Sequence, residues 1–303
     1  MTAPNLPFDV FDDRFHDLVD DLPLRRVGDG FGFPEGPVML PEGFLVFSDI
    51  ANDSIIRFSR PGRTGIHRQP SGGANGNTLD VQGRLVTCEA GRRRVTRTEH
   101  DGSVTTLADS YEGKRLNAPN DIVVKSDGAV YFTDPVFLGE DDEMFRSSYM
   151  ELDFSGVFRI SPQGGLSLLT GDLRLCNGLA FSPDESILYV VNSEDDSVYA
   201  FDVNSDGSIS NMRRWLDMTA EMPGVGDGMK IDVLGNAYVT GPGGVWVADS
   251  EGTPLGIIRT PVAATNMAFY GFDSKVLFIT APPAVFAVRL KVAGISVLGR
   301  IVR

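Results

Sequence analysis

The chain has 303 residues, two cysteines and a formal net charge of −14. That acidity disfavours nucleic acid and anionic membrane surfaces as partners, and Cys88 and Cys176, far apart in sequence, make no disulfide framework. No apolar stretch approaches a membrane span and the acidic Met1–Asp21 segment lacks a signal-peptide core, so a cytoplasmic protein with no obligate protein partner is expected.

Residues 1–23 read as a polar arm with one short helix around Phe11–Val19, and residues 24–303 as a single β domain. From Glu35 onward one pattern recurs. Glu35, Asn75, Asn120, Asn177, Asp227 and Asn266 each stand before an apolar run. A turn follows about eight residues later, as at Gly43, Gly83, Gly128 and Gly235, and a second apolar run follows the turn. The anchors are spaced by 40, 45, 57, 50 and 39 residues. A period of this size with four strands per unit predicts a six-bladed β-propeller around a central channel.

The second strand is nearly copied in Gly43–Asp49, Gly83–Glu89 and Gly128–Asp134, and continues in Ile187–Asn192, Gly235–Gly241 and Lys275–Thr280. β-branched and aromatic residues bounded by Gly and Asp are strand signals. A third strand follows in each unit: Ser54–Phe58, Arg94–Arg97, Gly156–Ile160, Ser197–Phe201, Gly244–Val247 and Ala284–Val288. The fourth strands are faint. Ring closure is expected to pair a strand near Leu24–Val27 with the last unit, whose end is Val297–Val302. The third unit is longer by a segment from Val136 to Met150, which reads as a loop rather than a second domain, either covering the site or lying as an acidic surface segment.

Innermost strands of a propeller run along one axis, so matched anchors form a ring. Glu35, Asn120, Asn177 and Asp227 offer only oxygens, two of them as carboxylates, which suits a hard divalent cation. His16, His67 and His100 all fall away from the anchors, which disfavours an ordinary zinc site. The expected ion is Ca²⁺, with Mg²⁺, Mn²⁺ or an oxygen-ligated Zn²⁺ as alternatives. There is no Gly-x-Ser-x-Gly elbow, no histidine placed to serve a serine, and no partner for Cys176 as a nucleophile. Arg92, Arg93 and Arg94 read as a solvated edge.

Glu35-Gly-Pro-Val, Arg115-Leu-Asn-Ala-Pro-Asn-Asp, Asn177-Gly-Leu-Ala-Phe-Ser-Pro-Asp, Asp227-Gly-Met-Lys-Ile-Asp and Gly241-Pro-Gly-Gly-Val-Trp-Val together resemble the gluconolactonase/regucalcin (senescence marker protein) family. The resemblance runs from about Phe31 to the end and points to the bacterial gluconolactonase branch. It implies a divalent metal, usually calcium, ligated by Glu35, Asn177 and Asp227, with Asn120 binding directly or through water. It also implies hydrolysis of a sugar lactone. Departures are Cys176 and Gly226 at places where the family commonly has Pro, Ala90 where this branch frequently has His, and Ala118 where the animal branch has Arg. Asn75, Asn117, Asn120 and Arg115 are the candidates for substrate contact.

The expected chemistry is metal-dependent opening of a lactone, with Asp227 positioning or deprotonating water or attacking directly. Phosphotriester or aryl-ester hydrolysis on the same metal, and a non-catalytic calcium-binding propeller, stay open as alternatives.

Overall fold

The structure, a computed structural model, describes residues 8–136 and 150–295. Six antiparallel sheets follow one another around an axis, in the blade arrangement expected from the repeat. Blade one comprises strands 34–39, 45–49, 54–60 and 63–68; blade two, 74–79, 85–89, 94–98 and 104–108; blade three, 122–124, 130–134, 156–160 and 166–170. Blade four comprises 176–181, 187–192, 197–203 and 209–217; blade five, 229–231, 237–241, 244–248 and 254–259; blade six, 266–270, 276–281 and 284–289. The anchors sit at or just before the start of the first strand in every blade. All the second and third strands lie where the sequence patterns put them.

The second strands of blades one, two, three and five are buried along their whole length, because each blade face packs on a neighbouring blade. This explains their near-continuous apolar runs. Aromatic residues fill the wedges between blades. Phe58 and Phe278 join blades one and six at a ring separation of 5.0 Å, and Tyr131 and Phe181 join blades three and four at 4.9 Å. Edge-on aromatic pairs at such separations add to the apolar burial.

The N-terminal residues are built into the ring. β1 (Phe8–Val10) extends blade five by pairing antiparallel with 256–258. α1 (Phe15–Leu18) buries Phe15 and Leu18 among Tyr238, Val247, Ile258 and Val288. β2 (Arg25–Asp29) is the outermost strand of blade six, paired with 284–287. The ring therefore closes through a strand from the start of the chain, as expected near Leu24–Val27. The Val297–Val302 end lies outside the described residues. So does the Val136–Met150 loop, apart from its two end residues. Among the described residues no helix is long and apolar enough to cross a membrane.

Candidate functional site

The anchors reach the axis through a repeated backbone irregularity. In blades one, two and four the pairing of the first two strands slips just after the anchor, between Glu35 and Val38, Ala74 and Asn77, and Cys176 and Leu179. Such bulges re-aim side chains and occur beside functional sites. In blades three and five regular pairing begins only at Ile122 and Met229, after Asn120 and Asp227.

A glycine follows the anchor in four blades, because the inner strands converge there. A Cβ on Gly36 would lie 2.2 Å from the Asn75 carbonyl oxygen, and one on Gly178 2.3 Å from that of Asp227. The strands are stitched at this level: Gly76 N–H donates to the Asn120 carbonyl at 2.7 Å, and Gly178 N–H to the Asp227 carbonyl at 2.9 Å.

Irregular inner strands leave backbone groups unpaired, and buried groups of this kind must find partners. Hydroxyls near the end of the second strand supply them. Ser48 Oγ donates to the Asn75 carbonyl at 2.6 Å, and Thr240 Oγ1 to the Thr265 carbonyl at 2.9 Å. Thr133 Oγ1 accepts from Asp121 N–H at 3.1 Å. Acids one position further along clamp the approach to the ring. Asp49 accepts from Gly32 and Phe33 N–H, and Asp134 from Asn117 and Ala118 N–H at 2.7 Å each. Burial nonetheless pushes the Asp134 carboxyl up to about 7.

Glu35, Asn75, Asn120, Asn177 and Asn266 are buried, and Asp227 is partly exposed. Asn177 Nδ2 donates to Ser193 Oγ at 3.2 Å, and its amide favours the ionised form of the neighbouring Asp227 carboxylate. Glu35 Oε2 accepts from Gly36 N–H at 2.5 Å and from Asn266 Nδ2 at 3.0 Å. Glu35 Oε1, Asn75 Oδ1 and Asn177 Oδ1 are buried and have no hydrogen-bond partner. Burial, then the charge of Asp121, pushes the Glu35 carboxyl up to about 7. Desolvation, then the charges of Glu35 and Asp121, pushes Asp227 well above the usual carboxylate range. Crowded carboxylates beside orphaned oxygens are what a hard cation relieves. Among the described residues no three His, Cys, Asp or Glu side chains form a metal-binding group. The oxygens left to a cation lie on the Glu35 and Asp227 carboxylates and on the anchor amides other than Asn266, with Glu35 Oε1, Asn75 Oδ1 and Asn177 Oδ1 buried and unpartnered.

Sequence reasoning missed Asp121 and Lys230. Asp121 is buried next to Asn120, and its charge bears on both Glu35 and Asp227. Its signal was present: it occupies the position that four other units give to glycine. Lys230 Nζ donates to the Met229 carbonyl at 2.8 Å and to Asn266 Oδ1 at 3.3 Å. It also lines a cavity of ≈ 210 Å³ with Val38, Leu79, Ile122, Phe181 and Ile295.

The other candidates differ in placement. Asn117 is buried, with Nδ2 donating to the Phe154 carbonyl at 3.0 Å and Oδ1 unpartnered. Arg115 is exposed on a small hairpin, and its guanidinium donates to the Arg92 carbonyl at 2.6 Å. Arg93 and Arg94 are not a solvated edge. Arg94 Nε lies 2.7 Å from the buried Glu89, and Arg93 Nε donates to the Leu116 carbonyl at 2.6 Å. Both cysteines are free and buried. Burial pushes the Cys176 thiol up to about 12 and Cys88 well above its ordinary value.

Fold and ring together define a six-bladed propeller with an acidic, oxygen-lined axial site. Residues 33–282 match the SMP-30/gluconolactonase/LRE-like region, and the chain belongs to that family. It is 33% identical to a gluconolactonase of Zymomonas mobilis over 94% of this chain and 86% of that protein. It is 28% identical to a pentonolactonase of Haloferax volcanii over 81% of this chain and 80% of that one. The solved structure of a gluconolactonase from Xanthomonas campestris superposes with a TM-score of 0.86 at 34% identity, covering 95% of this chain and 96% of that one.

Proposed function

We propose that this chain opens sugar lactones to their hydroxy acids, with a divalent cation, Ca²⁺ first, held by Glu35, Asn177, Asp227 and Asn120. A lactonase, a carboxylic ester hydrolase, is the activity that its family membership and its gluconolactonase relatives support. The observation that carries the metal is the pair of buried oxygens on Glu35 and Asn177 that no donor meets, beside two carboxylates whose charges repel. When bound, the ion supplies Lewis-acid polarisation of the lactone carbonyl and compensates the charge that gathers on its oxygen.

The residues supply the rest. Asp227, partly exposed where the other ring groups are buried, is placed to hold the attacking water and take its proton. The water oxygen bonds to the carbonyl carbon, the bond to the ring oxygen breaks, and that oxygen leaves with a proton as the free hydroxyl. The Asn177 amide favours the ionised form of the Asp227 carboxylate beside it. Asn75, Asn117 and Asn120 offer neutral amides to the lactone's oxygens and do not titrate with the reaction. The deeply buried thiols of Cys88 and Cys176 are unsuited to nucleophilic attack. The gluconolactonase and pentonolactonase relatives support a sugar lactone as substrate.

The test is acid release from a panel of hexono- and pentonolactones by EDTA-stripped protein, with Ca²⁺, Mg²⁺, Mn²⁺ or Zn²⁺ restored singly. Activity should vanish on stripping and return with an ion. Asp227→Asn should lower kcat by about 10²–10⁴-fold while the fold persists. Wild-type rates in that variant would overturn the role of Asp227. A phosphotriester hydrolysed faster than any lactone would overturn the substrate.

A further inference from the structure

Asn266 is the anchor that departs from the others. Its strand pairs without a bulge from Asn266–Thr280 to Tyr270–Val276, and Met267 follows it where four anchors have glycine. Its backbone is locked, with N–H donating to Thr280 Oγ1 at 2.9 Å and the carbonyl accepting from the same hydroxyl at 3.0 Å. Its side chain has no capacity left over. An amide has two N–H donors and two acceptor lone pairs. Asn266 Nδ2 reaches Glu35 Oε2 at 3.0 Å and Asp121 Oδ2 at 3.3 Å. Asn266 Oδ1 accepts from Met267 N–H at 2.8 Å and from Lys230 Nζ at 3.3 Å. The amide therefore has nothing to offer a metal or a substrate. It holds one Glu35 oxygen, and the other, Oε1, is left buried and unpartnered.

Lys230 and Asp121 complete this layer. Asp121 Oδ1 is occupied by Ile122 N–H at 2.8 Å, so its carboxylate is fixed at both oxygens. Lys230 enters beside the ≈ 210 Å³ cavity and ends on the far side of the same amide from the two acids. The formal charges are three carboxylates, Glu35, Asp121 and Asp227, against one ammonium, a net of minus two. A divalent ion cancels that net charge; a monovalent or trivalent ion does not.

We propose that Asn266 is a positioning residue that bridges Glu35 and Asp121 and presents Glu35 Oε1 to the cation, while Asp121 and Lys230 set the ring's charge to match a divalent ion. The inference rests on the proposed function in one respect, that the ring holds a cation. Partners behind metal ligands commonly govern affinity by 10–100-fold.

The experiment measures ion binding, by calorimetry with Ca²⁺ and luminescence with Tb³⁺, and melting in EDTA. It compares the wild type with Asn266→Ala, Asp121→Asn, Lys230→Met and Lys230→Arg. Asn266→Ala should weaken Ca²⁺ by about 10–100-fold. Lys230→Met takes the net charge from minus two to minus three, so Tb³⁺ should gain on Ca²⁺ by about tenfold, and Asp121→Asn should shift the ratio the opposite way. Lys230→Arg should keep the wild-type ratio. A role in packing alone would lower melting in EDTA without changing the preference between charges. If Asn266→Ala fails to fold, the Lys230 pair still decides the charge assignment. Wild type that binds neither ion overturns the proposed function, and this inference with it. Wild type that binds Ca²⁺, with variants matching its affinity and its Tb³⁺/Ca²⁺ ratio, overturns the inference alone.

Discussion

Glu35 places a carboxyl where water cannot solvate it and where Asp121 repels it, and the result is a group pushed up to about 7 from 4.5. In the metal-free folded protein this carboxyl keeps its proton through a range in which the unfolded chain has released it. The folded state then binds more protons, so stability falls as pH rises from about 4.5 to about 7. A cation takes the ionised form, so its affinity should rise over the same window. Denaturant melts of stripped protein at about pH 5 and about pH 8, with Ca²⁺ titrations at both, check the two slopes together. Asp134, also raised to about 7, adds to the stability slope, so it is a flat Ca²⁺ affinity that would mean Glu35 is ionised in the empty ring. The four residues proposed to ligate the ion were legible because they recur at one offset. Asp121 was not, because it breaks the repeat instead of following it. Lys230 lies three residues past an anchor, where only the twist of the inner strand reveals which way it reaches.

The bulged first strands depend on the glycine after each anchor. In Gly178→Ala the new Cβ meets the Asp227 carbonyl oxygen at 2.3 Å and the Gly228 Cα at 2.7 Å, backbone atoms that have nowhere to move. Overpacking of this kind costs about 1–3 kcal/mol. Because the displaced carbonyl belongs to Asp227, ion affinity should fall along with the melting temperature. α1 offers the contrasting case. Phe15 is fully buried against blades five and six, remote from the ring. Phe15→Ala should cost about 3–5 kcal/mol, with kcat at saturating metal unchanged. A fall in kcat would mean that the outer packing of blade five transmits to the ring. Second strands could be read from sequence because both their faces are buried and their apolar runs are dense, and third strands because each keeps a buried apolar stretch right after the second. The fourth strands could not. Arg63–Arg68 is exposed along nearly its whole length and carries no apolar face to betray it. The first strands of blades three and five are only three residues long, too short for a pattern to form.

For the molecule as a whole, the ring is held shut by β2. Removing residues 1–29 would leave strand 284–289, with its Val285, Phe286 and Val288, as an unpaired edge. Such an edge pairs with other chains. That truncation should lose cooperative melting and aggregate, whereas removal of residues 1–10 takes away, among the described elements, β1 alone and should leave a monodisperse, cooperatively melting protein. Size-exclusion chromatography and calorimetry separate the outcomes, and a soluble, cooperative 30–303 protein would show that closure does not depend on β2. The repeat period disclosed the six blades; the closing strand near Leu24–Val27 was placed by the need to complete the last unit, since β2 is largely exposed and carries little pattern of its own. β1 gave no sign: three residues are too few for an alternation to show, and the contacts of Phe8 with Phe15 at 5.5 Å and of Asp9 with Arg259 at 2.8 Å appear only once the chain is folded.

The same closure sets a timetable for biosynthesis. β2 leaves the ribosome early, but its partner strand begins 255 residues after β2 ends. At translation speeds of about 5–20 residues per second, that is a wait of roughly 13–50 s. During that interval the first five blades can assemble side by side, yet blade six is absent or incomplete and blade one lacks a finished neighbour on its open flank. The nascent chain is an incomplete arc, with apolar wedge residues such as Phe47 and Phe58 uncovered until Phe278 arrives. A chaperone acting on this protein would have its greatest effect in that interval, before the ends of the arc can meet.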